Sequence, residues 1–173
     1  MKPDPTLGGQ YNGAALNSFL LGLGHSETLV QKILRDHGVD HIDPNRWYDA
    51  AWAVEIYFAI AEQIGRGAII AVGKRMIETA PFPPGIADVK SVLLSLDAAY
   101  KLNVRGKDTG DITCEFEDDH NATLEWNTWG PCPLNVGIIE GCCSRFGAQA
   151  LVEHGAGGCQ DRGDPTCIYH VSW

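Results

Sequence analysis

Three cysteines near the end of the chain have the spacing of a metal clamp. Cys132 stands between Pro131 and Pro133, and Cys159 and Cys167 bracket a Gly163-Asp164-Pro165 turn. Zinc takes soft thiolates and imidazole in a tetrahedron, and a structural site closes with four protein ligands. The fourth donor is read as His154, which shares strand parity with Val152 and Ala150 and ends a segment expected to pair with the one that Cys167 opens. Glu153 is the rival, and its opposite parity lets only one of the two face the cysteines unless the strand bulges. The expected set is therefore Cys132, His154, Cys159 and Cys167, with zinc as the cofactor. The spacing lacks paired C-x-x-C knuckles. Because cysteine also serves as a small buried apolar residue, three free core thiols are the competing interpretation. Cys142 and Cys143, adjacent on an expected helix, read as packing residues, and Cys114 as a core thiol alternating with its neighbours. None of the cysteines is read as a nucleophile.

Aromatic residues form the second group. Trp52, Phe58, Trp126 and Trp129 are candidates to line a pocket for a flat apolar molecule, since such cavities are mostly hydrophobic with a few polar groups for orientation. The alternative is that they, with Trp47, fill the core. Tyr100 and Arg105 are read as ordinary helix-end residues rather than contacts at a pocket mouth.

The elements that would position these residues follow from periodicity. Residues 1–12, with Pro3, Pro5 and Gly8-Gly9, read as an irregular lead-in, and 13–173 as a single domain. Two short helices, 14–23 and 27–37, are expected to form a hairpin. A longer helix is expected directly after the capping pair Asp43-Pro44, with a core stripe of Trp47, Ala51, Val54, Phe58 and Ala61, ending at Gly65 and Gly67. Helices over 68–79 and 86–102 follow, separated by the proline-rich 81–85. Alternation over 112–116 and 122–126 predicts a hairpin. A helix over 134–146 and a second strand pair over 148–154 and 166–173 complete the chain. Helices, hairpin, helix, hairpin is the order of an α+β fold in which N-terminal helices pack on a four-stranded antiparallel sheet.

Composition narrows the function. Thirteen Lys+Arg against 22 Asp+Glu give a net charge of -9, which repels phosphate backbones and anionic membranes, so neither nucleic acid nor membrane is an expected partner. The most apolar stretch, 50–73, is interrupted by Glu55, Glu62 and Arg66 and cannot span a bilayer. Met1 to Pro5 has no apolar signal-peptide core, so a cytoplasmic location is expected, where thiols stay reduced.

Pro131-Cys132-Pro133, Gly137-Ile138-Ile139-Glu140-Gly141 and the segment from Cys159 to Cys167 together resemble the C-terminal half of the 4-vinyl reductase domain family, over about the last 70 residues. That resemblance implies the fold of the ligand-sensing modules of sigma-54 activators that detect aromatic compounds, and more distantly of TRAPP vesicle-tethering subunits. It also implies a zinc held by a cysteine before the helix, a glutamate, and two cysteines separated by seven residues. Cys132, Cys159 and Cys167 match, while the glutamate position is Ala156 here, which is why His154 is taken as the substitute. The expected function is a sensory domain that encloses a small apolar molecule and signals through a homodimer or a protein partner. The alternatives are a metal-dependent hydrolase or pigment-reductase accessory, and a scaffold subunit without ligand.

Overall fold

A computed structural model describes residues 8–24 and 26–173; residues 1–7 of the expected lead-in lie outside the described residues. The chain runs β1 (Gly9–Asn12), α1 (Gly13–Gly22), α2 (Glu27–Asp36), β2 (Trp47–Asp49), α3 (Ala50–Ile64), α4 (Arg66–Thr79), α5 (Val89–Leu94) and α6 (Leu96–Asn103). It continues through β3 (Val104–Gly106), β4 (Ile112–Phe116), β5 (Asn121–Trp126), α7 (Cys132–Arg145), β6 (Leu151–His154), a 3-10 turn (Gln160–Arg162) and β7 (Cys167–Ser172). The class is α+β. The β4-β5 and β6-β7 hairpins join through β5 and β7 into one antiparallel sheet of order β4-β5-β7-β6. Among the described residues no helix is long and apolar enough to cross a membrane.

A second, three-stranded sheet, β2-β1-β3, is not foreshadowed by local alternation. Its central strand lies in the segment expected to be irregular and pairs Tyr11 with Tyr48 on one side and Val104 on the other. This pairing corrects the start of the long helix. Trp47 and Tyr48 are in β2, and Asp49 is the cap, its carboxylate accepting the Trp52 N–H at 3.1 Å. Asp43 instead accepts the Asn45 N–H at 2.8 Å, an Asx turn that resembles a helix start in sequence. The later start shifts the buried face of α3 to Ala53, Val54, Tyr57 and Ile60, leaving Ala51, Phe58 and Ala61 half-buried. The helix expected over 86–102 breaks at Ser95, whose hydroxyl donates to the Val92 carbonyl.

Two apolar cores result. One gathers Phe19, Leu34, Ile60 and Ile69 among the N-terminal helices; the other packs Ile139, Cys142 and Cys143 of α7 against Leu124, Tyr169 and Val171 of the sheet. α4 and α7 join them at close range. A Cβ added at Gly73 would collide with the Leu134 carbonyl, and one at Gly137 with the Ile70 carbonyl. Only glycine lets these helix backbones touch.

Candidate metal centre and internal cavity

The ends of three elements converge below the sheet. Cys132 is the first residue of α7, Cys167 opens β7 opposite Trp126, and His154 closes β6. Cys159 precedes the 3-10 turn, where its N–H donates to the Asp164 carboxylate at 2.8 Å and its carbonyl accepts from Arg162 and Asp164 N–H groups. Gly163 closes that turn with φ 94, a left-handed conformation that glycine tolerates. Arg162 reaches back to the Gly155 carbonyl, pinning the loop between β6 and β7.

The donor atoms of Cys132, His154, Cys159 and Cys167 all lie within 4.8 Å of one another. Cys132 Sγ is 3.5 Å from Cys167 Sγ and 4.0 Å from Cys159 Sγ. These spacings exceed the ~2.05 Å of a disulfide. They bracket the ~3.8 Å edge of a tetrahedron whose zinc–sulfur bonds are about 2.3 Å. The imidazole is oriented for the same task. His154 Nδ1 lies 3.1 Å from the Ile168 carbonyl, to which it donates, while Nε2 is buried without a hydrogen-bond partner among the described residues. A neutral imidazole that donates through one nitrogen offers its other lone pair to a metal, and a carbonyl behind it is the usual support. Cys167 is the readiest thiolate: the hydrogen bond from Cys132, aided by the Gln160 N–H at 3.3 Å, pulls its pKa down to about 6. Sharing that bond, and burial, push Cys132 the other way. A carboxylate, Asp161, also neighbours Cys132. The donor set therefore fits a closed tetrahedral ion. Glu153 pairs across from His170 and is exposed, outside the cluster.

Between the two cores lies a cavity of about 110 Å³. Trp126 and Trp129 line it, together with Tyr11, Tyr57, Tyr100 and Asn103. Trp52 and Phe58 do not. Trp52 stacks on Tyr48 at 5.2 Å and donates its indole N–H to the His37 carbonyl, and Phe58 packs on the outer side of the first core. Burial raises the Tyr11, Tyr57 and Tyr100 phenols, which stay neutral near pH 7. Arg105 lies over the Trp47 ring, away from the lining. Tyr100, read from the sequence as an ordinary helix-end residue, is instead part of the lining, and Tyr57 was signalled by its position on the buried face once α3 is correctly phased. Tyr169 stands between the two sites. Its ring stacks on His154 at 4.3 Å, meets Trp126 edge-on at 5.9 Å, and its hydroxyl accepts from Asn135, a cavity residue, at 3.1 Å.

No protein-family model matches the sequence, and no curated protein sequence matches it. Solved structures do match in fold. An H-NOX protein from S. oneidensis in the Fe(II)NO ligation state is 13% identical, with a TM-score of 0.72 over 93% of this chain and 98% of that one. A mutant of T. tengcongensis H-NOX is 18% identical, with a TM-score of 0.72 over 93% and 96%. An oxygen-binding H-NOX domain related to soluble guanylate cyclases is 18% identical, with a TM-score of 0.67 over 92% of each chain. At these identities the likeness is one of fold. It overturns the resemblance to the 4-vinyl reductase family, whose motif segments are here a proline-flanked helix start, a glycine-bearing helix and a short turn.

Heme is named for the H-NOX family, and the residues present here do not fit it. No histidine or cysteine lines the cavity among the described residues, and Tyr11 and Tyr100 donate their hydroxyls to backbone carbonyls. Its volume of about 110 Å³ is well below the ~300–1,000 Å³ of ordinary ligand pockets, which are themselves smaller-ligand sites. The Cys132 cluster does not fit either, because four protein donors converging on one point leave no room for a porphyrin's four nitrogens.

Proposed function

We propose that this chain is a non-catalytic sensory domain that takes a small apolar molecule between its two cores and passes occupancy to a partner, either a second copy or another protein. A zinc ion held by Cys132, His154, Cys159 and Cys167 staples the terminal hairpin to α7. The cavity is the observation that carries this reading. A half-open cavity of about 110 Å³ lined by aromatic and aliphatic side chains sits where the helical layer meets the sheet, so a guest seated there would touch both. The H-NOX fold, which in relatives carries oxygen and NO complexes, supports a sensing role. A quartet of protein ligands leaves no open metal position to activate water, which argues against a hydrolase.

The test is a thermal-shift screen of ring compounds and short hydrocarbons, followed by a crystal structure with any hit. Saturation at a hundredfold excess over Kd stabilises the folded state by about 2.7 kcal/mol. No shift from any compound, with a crystal structure whose core has closed over the cavity, would overturn the reading in favour of a scaffold role.

A further inference from the structure

Asn103, the last residue of α6, is 9% exposed and forms part of the cavity wall. Its Nδ2 donates to the Ala99 carbonyl at 2.8 Å. Because a carbonyl only accepts, that bond fixes which way the amide is turned. Its Oδ1 is then left buried with no hydrogen-bond partner among the described residues. Buried acceptors without partners are rare, and each one calls for an explanation.

The neighbouring polar groups supply no donor to it. Tyr11 gives its hydroxyl proton to the Trp129 carbonyl at 3.0 Å, Tyr100 to the Thr109 carbonyl at 2.7 Å, and Ser18 to the Ala14 carbonyl at 3.1 Å. All three line the same cavity. With their protons spent inside the protein, what these groups still present to a guest is lone pairs. Tyr57 and Thr128 add hydroxyls to the wall that, among the described residues, neither reach this oxygen nor donate to another protein group, so Asn103 Oδ1 stands as its unpartnered buried acceptor.

We infer that the cavity selects a neutral hydrogen-bond donor, a small ring or short chain bearing one O–H or N–H group, and that Asn103 Oδ1 is the specificity-determining acceptor. This rests on the sensing reading above and adds the polarity of the guest to it. Size describes the seated part of the guest: an apolar cavity of about 150 Å³ admits benzene, so about 110 Å³ seats a five-membered ring or its equivalent. A cation is disfavoured because, among the described residues, the wall holds no carboxylate, and an anion because it holds no cationic side chain.

The experiment compares isosteric pairs on the full, metal-loaded chain: pyrrole against furan, and cyclopentanol against methylcyclopentane, by calorimetric titration and thermal shift. The donor member of each pair is expected to bind about tenfold more tightly, the difference one hydrogen bond to a buried acceptor makes. In Asn103→Leu that preference is expected to disappear while methylcyclopentane binding and zinc content persist. Asn103→Ala, which only enlarges the cavity, gives the same readout should the leucine variant not fold. Equal affinities within each pair would mean that Oδ1 is served by water, which overturns the donor inference and leaves the sensing reading standing. Preference retained in both Asn103 variants overturns the assignment to that residue. Binding of neither member of either pair overturns the inference about the guest, while the sensing reading is decided by the wider screen and the crystal structure.

Discussion

Chelating or displacing the metal tests the clamp most directly, and the structure sets the size of the effect. The cluster ties Cys132 to Cys167 across 35 residues of chain. Should the unfolded chain keep the ion, the gain is loop-closure entropy, about 3.8 kcal/mol for a loop of this length by the relation used for disulfides. Should it release the ion, the gain is mass action, about 4.1 kcal/mol at a thousandfold excess of free zinc over Kd. Either route gives about 4 kcal/mol. For a domain of this size each kcal/mol moves Tm by about 2–4 °C, so stripping the metal is expected to lower Tm by about 8–16 °C. Elemental analysis of protein purified without added metal should find one zinc per chain, and Cys159→Ser and Cys167→Ser should lose both the ion and the chelator response. Cys142→Ala is the control, since Cys142 is fully buried outside the cluster and its loss should cost packing without metal. A chelator-insensitive Tm in the wild type, or one equivalent of zinc retained by both serine variants, refutes the clamp.

His154→Ala should release zinc while Glu153→Ala retains it, as measured by metal content after dialysis; the reverse result would move the ligand to Glu153. Trp129→Ala should weaken binding of any cavity ligand, whereas Trp52→Ala should leave titrated affinity unchanged and lower stability by about 1 kcal/mol or more through its lost hydrogen bond and stacking. Gly137→Ala forces α7 off the Ile70 carbonyl and should cost about 1–3 kcal/mol by denaturant titration, like other overpacked interiors. Burial, with Glu115 beside it, pushes the Cys114 thiol up to about 11; its alkylation should be slow at pH 8 and accelerate toward pH 11, and a rate at pH 8 equal to that of a free thiol would contradict this.

The convergence of Cys132, His154, Cys159 and Cys167 was legible in the sequence because its grammar is local. The parity of His154 against Glu153 is a two-residue period, and the turn between Cys159 and Cys167 announces itself through Gly163-Asp164-Pro165. The β4-β5 hairpin was readable for the same reason. The small sheet was not: strands of three and four residues leave no alternation to detect, and the partners of Tyr11 are Tyr48 and Val104, far along the chain. Asp43-Pro44 has the same residue types as a helix start but closes an Asx turn, which displaced the expected stripe and with it the reading of Phe58. The cavity lining was hardest to foresee. A void is defined by what packing leaves unfilled, and Tyr11, Tyr57 and Asn103 look in sequence like any residues of a core.

Tyr169 lies in the partition between the clamp and the cavity, with one face on His154 and its edge and hydroxyl toward Trp126 and Asn135. Rings this closely packed do not move singly. Whatever factor an ion at the clamp imposes on the affinity of the cavity, thermodynamic reciprocity requires the guest to impose the same factor on retention of the ion. If zinc occupied the clamp and a guest the cavity, any coupling between them would make one linked equilibrium, in which zinc supply would shift the threshold of detection and the guest would shift how firmly zinc is held.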